Sequence, residues 1–280
     1  MRAILGSIQS WTRPFILLAA TLVAALGGVF GAGVDSSPLP PSVATAPLSV
    51  GQVVDNLVRK DLERAQALRH YESTRIYRLS YRGFPVDRDA EMTVEATYDS
   101  PSTKSFKVIS QTGSKLIIER VFKRLLESEK EGAEPEVHSR MMLDRDNYDF
   151  ALIGFEPSGV NSSDVNSHAQ ARQYVLAVYP KAKSKYVYRG KVWVDGTDFA
   201  VTRIDAEPAL NPSFWTKKSE FHHEYMKVQD FWLPRRNQSV SYIRLGGRAT
   251  LTIEYNNYRV IDSRPSGNPA GASSSGTGAR

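Results

Sequence analysis

Cysteine is absent from all 280 residues. Its absence excludes disulfide bridges, thiolate zinc sites, a thiol nucleophile and the modified cysteine of a lipid-anchored lipoprotein. Histidine is scarce, five in all, and no HExxH or related spacing occurs. The adjacent His222 and His223 cannot chelate together in a strand, because neighbouring side chains point to opposite faces. No GxSxG elbow marks a serine hydrolase, and no glycine-rich loop is present to cradle a phosphate. Asp144, Asp146 and Asp149 begin like a calcium loop, but the glycine and the closing glutamate such a loop needs are missing. Asp195 and Asp198 form no acid/base pair; aspartates at both ends of a hairpin turn serve Asx-type hydrogen bonding. The chain is therefore not expected to be an enzyme, and neither a cofactor nor a metal is expected.

Charge points the same way. The formal excess of +6 is spread along the chain, with no basic patch interleaved with stacking aromatics. Nucleic acid is excluded as a partner on that ground.

What is present begins with an export signal. Met1–Pro14 carries Arg2 and Arg13 and no acid, Phe15–Leu26 is uninterruptedly apolar, and small residues follow in GGVFGAG. These are the three zones of a secretory leader over residues 1–33, with an uncleaved membrane anchor as the alternative. Either way the remainder is expected in the periplasm, where transient contact with a membrane is open to it. Without the leader, 34 basic residues face 30 acidic ones, a solvated exterior. Residues 34–48, rich in Ser, Pro and Ala, read as a flexible tether, and 263–280 as a disordered tail. The span between, 49–262, suits one domain with a real core.

Within it, Ser49 is a good N-cap for a helix running to about Tyr71, with Val53, Leu57, Leu62, Ala65 and Leu68 at near-helical spacing. Three alternating runs follow, Ser73–Arg82, Ala90–Tyr98 and Lys104–Gln111, and then a second amphipathic helix over Lys115–Glu131. A short helical turn is expected around Arg140–Asp146, followed by a strand-like run over Tyr148–Pro157, and from Gln173 onward nearly everything reads as strand. The separators read as Pro180, Asp195-Gly196, Asn211-Pro212, Pro234 and Gly246-Gly247. Alternation of this kind means antiparallel strands with one covered face. The expected class is α+β: one large curved antiparallel sheet, an unclosed barrel of about nine to eleven strands, with amphipathic helices over its concave face.

Aromatics crowd the C-terminal half. Trp193, Phe199, Trp215, Phe221, Tyr225, Phe231 and Trp232 are candidates to line an apolar space between helices and sheet. Trp193 stands out, because it alternates with Val192 and Val194 and so falls on an otherwise polar face.

The pattern of an amphipathic first helix, YESTRIYRLSY, YRGKVWVDGTDFAVTRIDAEP, NPSFW, FWLP and LTIEY resembles the outer-membrane lipoprotein-sorting proteins of the LolA/LolB superfamily. The resemblance spans about 49–261, and the chain departs from it by its longer tail, an insertion around Pro157–Ala169 and the missing lipid-anchor cysteine. It implies an open barrel with a helical lid and an apolar cavity, serving as a periplasmic carrier of lipid or lipoprotein acyl chains. The alternative it implies is an envelope-stress sensor resembling RseB, which binds a ligand and regulates an inner-membrane protein.

Overall fold

The computed structural model describes residues 48–132, 135–157, 172–211, 216–244 and 246–262. The leader, nearly all of the tether, the tail, most of the insertion, and Trp215 with the rest of its NPSFW loop past Asn211 lie outside them. Ten antiparallel strands form one open sheet in the order β3-β2-β1-β10-β9-β8-β7-β6-β5-β4. They are β1 (Leu68–Gly83), β2 (Arg88–Asp99), β3 (Thr103–Gly113), β4 (Tyr148–Pro157), β5 (Arg172–Pro180), β6 (Tyr188–Asp195), β7 (Val201–Pro208), β8 (Thr216–Val228), β9 (Phe231–Ile243) and β10 (Gly247–Asp262). The sheet does not close: β3 and β4 are its two edges, and the first and last strands pair in its interior.

Helix α1 (Val50–Ala67) starts from a capping box. The Ser49 hydroxyl accepts from the Gln52 amide, and the Gln52 side chain accepts from the Ser49 amide in return. The helix ends four residues before the sequence pattern does. Leu68 and Tyr71 keep a helical spacing, but both are buried in a cluster with Tyr98, Phe231 and Leu233, and β1 has already begun there. Tertiary burial overrides the local pattern.

The second helix, α2, consists of a turn at Lys115–Ile117, a π-helical turn over Ile118–Phe122 and an α-helix over Lys123–Glu131. The wider π turn lets Ile118 and Phe122 point to the sheet together with Leu125 and Leu126. A short helix, α3 (Pro135–Ser139), follows.

The two long helices cover one face of the sheet but rest on different halves of it. Val53, Val54 and Leu57 of α1 pack with Tyr148, Leu176, Tyr188, Val192 and Ile204 of β4–β7. The stripe of α2 packs instead with Tyr77, Met92, Val94, Leu251 and Ile253 of β1, β2 and β10.

One separator differs from its expected role. The chain turns between β8 and β9 at Gln229-Asp230, where Gln229 is left-handed (φ 56°), while Pro234 lies inside β9. A proline is tolerated there because the pairing of β9 with β10 extends only to Arg236. Its missing N–H therefore removes no bond from that ladder.

Candidate functional site

The space between α1 and the sheet holds the candidate site. A cavity of about 60 Å³ is lined by Leu57, Val58 and Asp61 of α1, by Met141, Met142 and Leu143 beyond α3, and by Tyr188, Ile204, Tyr225 and Trp232 of the sheet. On the outer flank of α1 an open groove of about 480 Å³ runs along Val54, Val58 and Leu62 to Arg145. Val58 lines both spaces.

The β6–β7 hairpin sets one wall. The Asp195 carboxylate accepts from the amides of Thr197 and Asp198, an Asx turn, and Phe199 closes it in a left-handed conformation (φ 47°). Arg64, in the last turn of α1, donates to the Asp198 and Phe199 carbonyls at 2.9 and 3.2 Å. At the other end of the helix, Arg145 donates to the Gly51 carbonyl at 2.8 Å and to Asp55 at 2.9 Å. Helix α1 is thus pinned at both ends by arginines, with its apolar middle over the cavity.

Polar groups in this wall are tuned by burial. Burial pushes the carboxyl of Asp61 above its ordinary value, against the nearby Arg64 at 3.6 Å. The Tyr225 hydroxyl is pushed up by burial and further by the charge of Asp61. Burial works to raise Asp198, but hydrogen bonds from Lys227 and Trp232 outweigh it and hold that carboxylate below its usual range.

The expected aromatics divide. Tyr225 and Trp232 line the cavity, the latter donating its indole N–H to Asp198 at 2.8 Å. Phe221 packs edge-on against Tyr188 with ring centroids 5.5 Å apart, and Phe199 stacks on Tyr174 at the hairpin turn. Phe231 belongs to the separate cluster with Leu68 and Tyr71. Trp193 lies on the opposite face of the sheet from α1, since its neighbours Val192 and Val194 are the ones in the α1 cluster. Its ring is covered there by Arg203, whose guanidinium sits 4.2 Å from the ring centroid, and its N–H donates to Glu156 at 2.8 Å.

Leu57, expected on the apolar stripe of the helix, and Val58, Tyr188 and the run Met141–Leu143 line the cavity but were not among the residues expected at a site. Adjacent methionines in an otherwise polar loop were the available signal, because Met suits adaptable apolar surfaces.

Among the described residues no group of three or more His, Asp or Glu could hold a metal, and no helix is long and apolar enough to cross a membrane.

No protein-family model matches the chain, and no curated protein does. Among solved structures it is similar to a DUF1329 family protein from Desulfovibrio piger, at 15% identity and a TM-score of 0.36, covering 75% of this chain and 92% of that one. It is similar to a LolA superfamily protein from Nitrosomonas europaea, at 10% identity and a TM-score of 0.32, covering 78% and 96%. A third is MucB in complex with MucA(peri), at 11% identity and a TM-score of 0.22, covering 76% and 99%.

Proposed function

We propose that the protein is a periplasmic carrier that holds lipid or lipoprotein acyl chains between α1 and the β6–β8 part of the sheet. The leader expected at residues 1–33 would deliver it there. The observation that carries this reading is the apolar cavity under α1, floored by Tyr188, Ile204 and Tyr225 and roofed by Leu57, Met141 and Met142.

A 60 Å³ space is well below the roughly 300–1,000 Å³ of ligand sites. Joined with the groove across Val58 it reaches that range. The join needs α1 to lift, and the flexible methionine side chains offer a lining that re-packs around a chain. Each methylene taken out of water contributes about 0.8 kcal/mol, so a single long chain offsets the separation of a few buried apolar side chains.

Native mass spectrometry of the full-length protein, purified gently from membranes, tests the reading. The expected result is stoichiometric bound lipid, lost in Leu57→Asp. Lipid-free protein that recovers a defined inner-membrane protein instead would replace the carrier with a sensor.

A further inference from the structure

The covered face of the sheet is apolar at both flanks and polar in the middle. The row Val192–Ile204–His223–Asn237–Ile253–Tyr77 crosses six strands, and only its members on β8 and β9 are polar. The next row places Ser239 between Phe221 and Leu251, and the row beyond it pairs Ser219 with Ser241. Those two hydroxyls are 2.7 Å apart and buried. This seam falls between the cluster under α1 and the cluster under α2.

Two of its atoms stand out. The Nδ1 of His223, a residue 5% exposed, and the Oγ of Ser239 are buried without a hydrogen-bond partner among the described residues. Buried polar groups are otherwise almost always paired, so two orphans in adjacent rows point to a group that meets them.

We propose that the seam on β8 and β9 binds the ester or amide linkage of an acyl chain, with the carbonyl taken by Ser239 and His223. This rests on the carrier reading and adds to it where along the ligand recognition occurs. The chemistry fits a neutral group. A serine hydroxyl donates to a carbonyl oxygen, and a neutral imidazole donates from one ring nitrogen and accepts at the other. Burial, helped by His222, holds His223 down at about 3, so the ring is uncharged near neutrality. The buried charges Arg75 and Glu129 pair with each other. The Arg75 guanidinium packs on the ring of Tyr255, whose hydroxyl accepts from Asn237 at 3.0 Å. Apolar surface on either side then receives the chain that the linkage carries.

The test is native mass spectrometry of the delipidated full-length protein with equal concentrations of 1-monooleoylglycerol and its ether analogue 1-O-oleylglycerol, which differ only in the carbonyl. The ester complex is expected to exceed the ether complex about tenfold, the worth of one to two well-made hydrogen bonds. In His223→Phe/Ser239→Ala the two complexes are expected in equal amounts at the ether's original occupancy. Ser239→Ala alone, the milder change should the double variant fold poorly, is expected to cut the ratio to about threefold. Equal occupancy of ester and ether in the wild type, or an undiminished preference in the variants, overturns the seam assignment and leaves the carrier standing. Binding of neither lipid overturns both.

Discussion

Arg75 of β1 and Glu129 of α2 form an ion pair buried from solvent, 2% and 6% exposed. The guanidinium lies between the rings of Phe106 and Tyr255, and the Tyr77 hydroxyl donates to the free oxygen of Glu129 at 2.8 Å. Burial alone would lower the pKa of Arg75, but the charge of Glu129 raises it well above the ordinary value. The pair fixes α2 to its half of the sheet. Removing one partner, as in Glu129→Ala, should cost about 3–5 kcal/mol by leaving a buried charge alone. Replacing both, as Arg75→Met/Glu129→Leu, should recover most of that loss. Guanidinium unfolding of the three proteins checks it, and equal loss in the single and double variants would mean that packing, not charge, holds the helix.

Acid should weaken the protein through His223. Its pKa is lowered from 6.5 to about 3 by burial, with His222 adding to the effect. Between those values the unfolded chain binds a proton that the folded one does not. Stability therefore falls as pH drops from 6.5 toward 3, by up to about 1.4 kcal/mol per pH unit from this residue. Unfolding at pH 4 and 7 should show a smaller difference in His223→Phe than in the wild type. An unchanged difference would place the acid sensitivity elsewhere.

Lys104 on β3 acts in the alkaline range. Its pKa is lowered to about 8, chiefly by burial, with Glu129 opposing and Arg75 adding to the shift. The folded state gives up this proton more readily than the unfolded one. Stability should therefore rise as pH goes from 8 toward 10, above which the buried tyrosines, such as Tyr98 pushed up to about 12, begin to lower it. Lys104→Met should flatten the rise and gain stability at pH 7. A steeper rise in the variant would refute the assignment.

The two faces of β6 separate stability from binding. Trp193 is 5% exposed on the face away from α1. Trp193→Ala should cost about 3–5 kcal/mol, yet leave bound lipid per folded protein unchanged. Tyr225→Ala, in the cavity wall, should reduce the lipid bound. Loss of lipid in the Trp193 variant alone would move the site to the other face.

Gly190 tests the packing of β6 on β7. A Cβ there would meet the Asp205 carbonyl oxygen at 2.2 Å and the Ala206 Cα at 2.6 Å. Backbone cannot yield as a flexible side chain does, so Gly190→Ala should cost about 1–3 kcal/mol. Thermal unfolding measures it; a neutral result would mean that the two strands stand further apart.

Much of the fold was readable because strand alternation and helix periodicity are local. The Ser49 cap, the stripe of α2, the Asx turn at Asp195 and the open antiparallel sheet all follow from short-range pattern. The end of α1 was not readable, since Leu68 and Tyr71 keep the helical spacing and share a face of β1 only through the irregularity between Leu68 and His70, where burial with Phe231 decides. The turn at Gln229-Asp230 was hidden because neither residue is Gly or Pro, while Pro234 drew the break to itself. Arg75 and Glu129 look like surface charges until residues 54 positions apart meet. For the candidate site, aromatic character singled out Tyr225 and Trp232, which line the cavity, but could not choose a face for the others or see that Met141 and Met142 line it too.

The pairing of β1 with β10 has a bearing on assembly. Residues 68–83 must wait for residues 247–262 before the middle of the sheet exists, so nearly the whole chain has to be available first. Until then the β1–β3 meander keeps an open rim, a surface prone to stick to other chains, and such distant pairings nucleate slowly. A holding factor that shields this rim during synthesis or transit would speed maturation, and loss of the last strand would leave two half-sheets with nothing to join them.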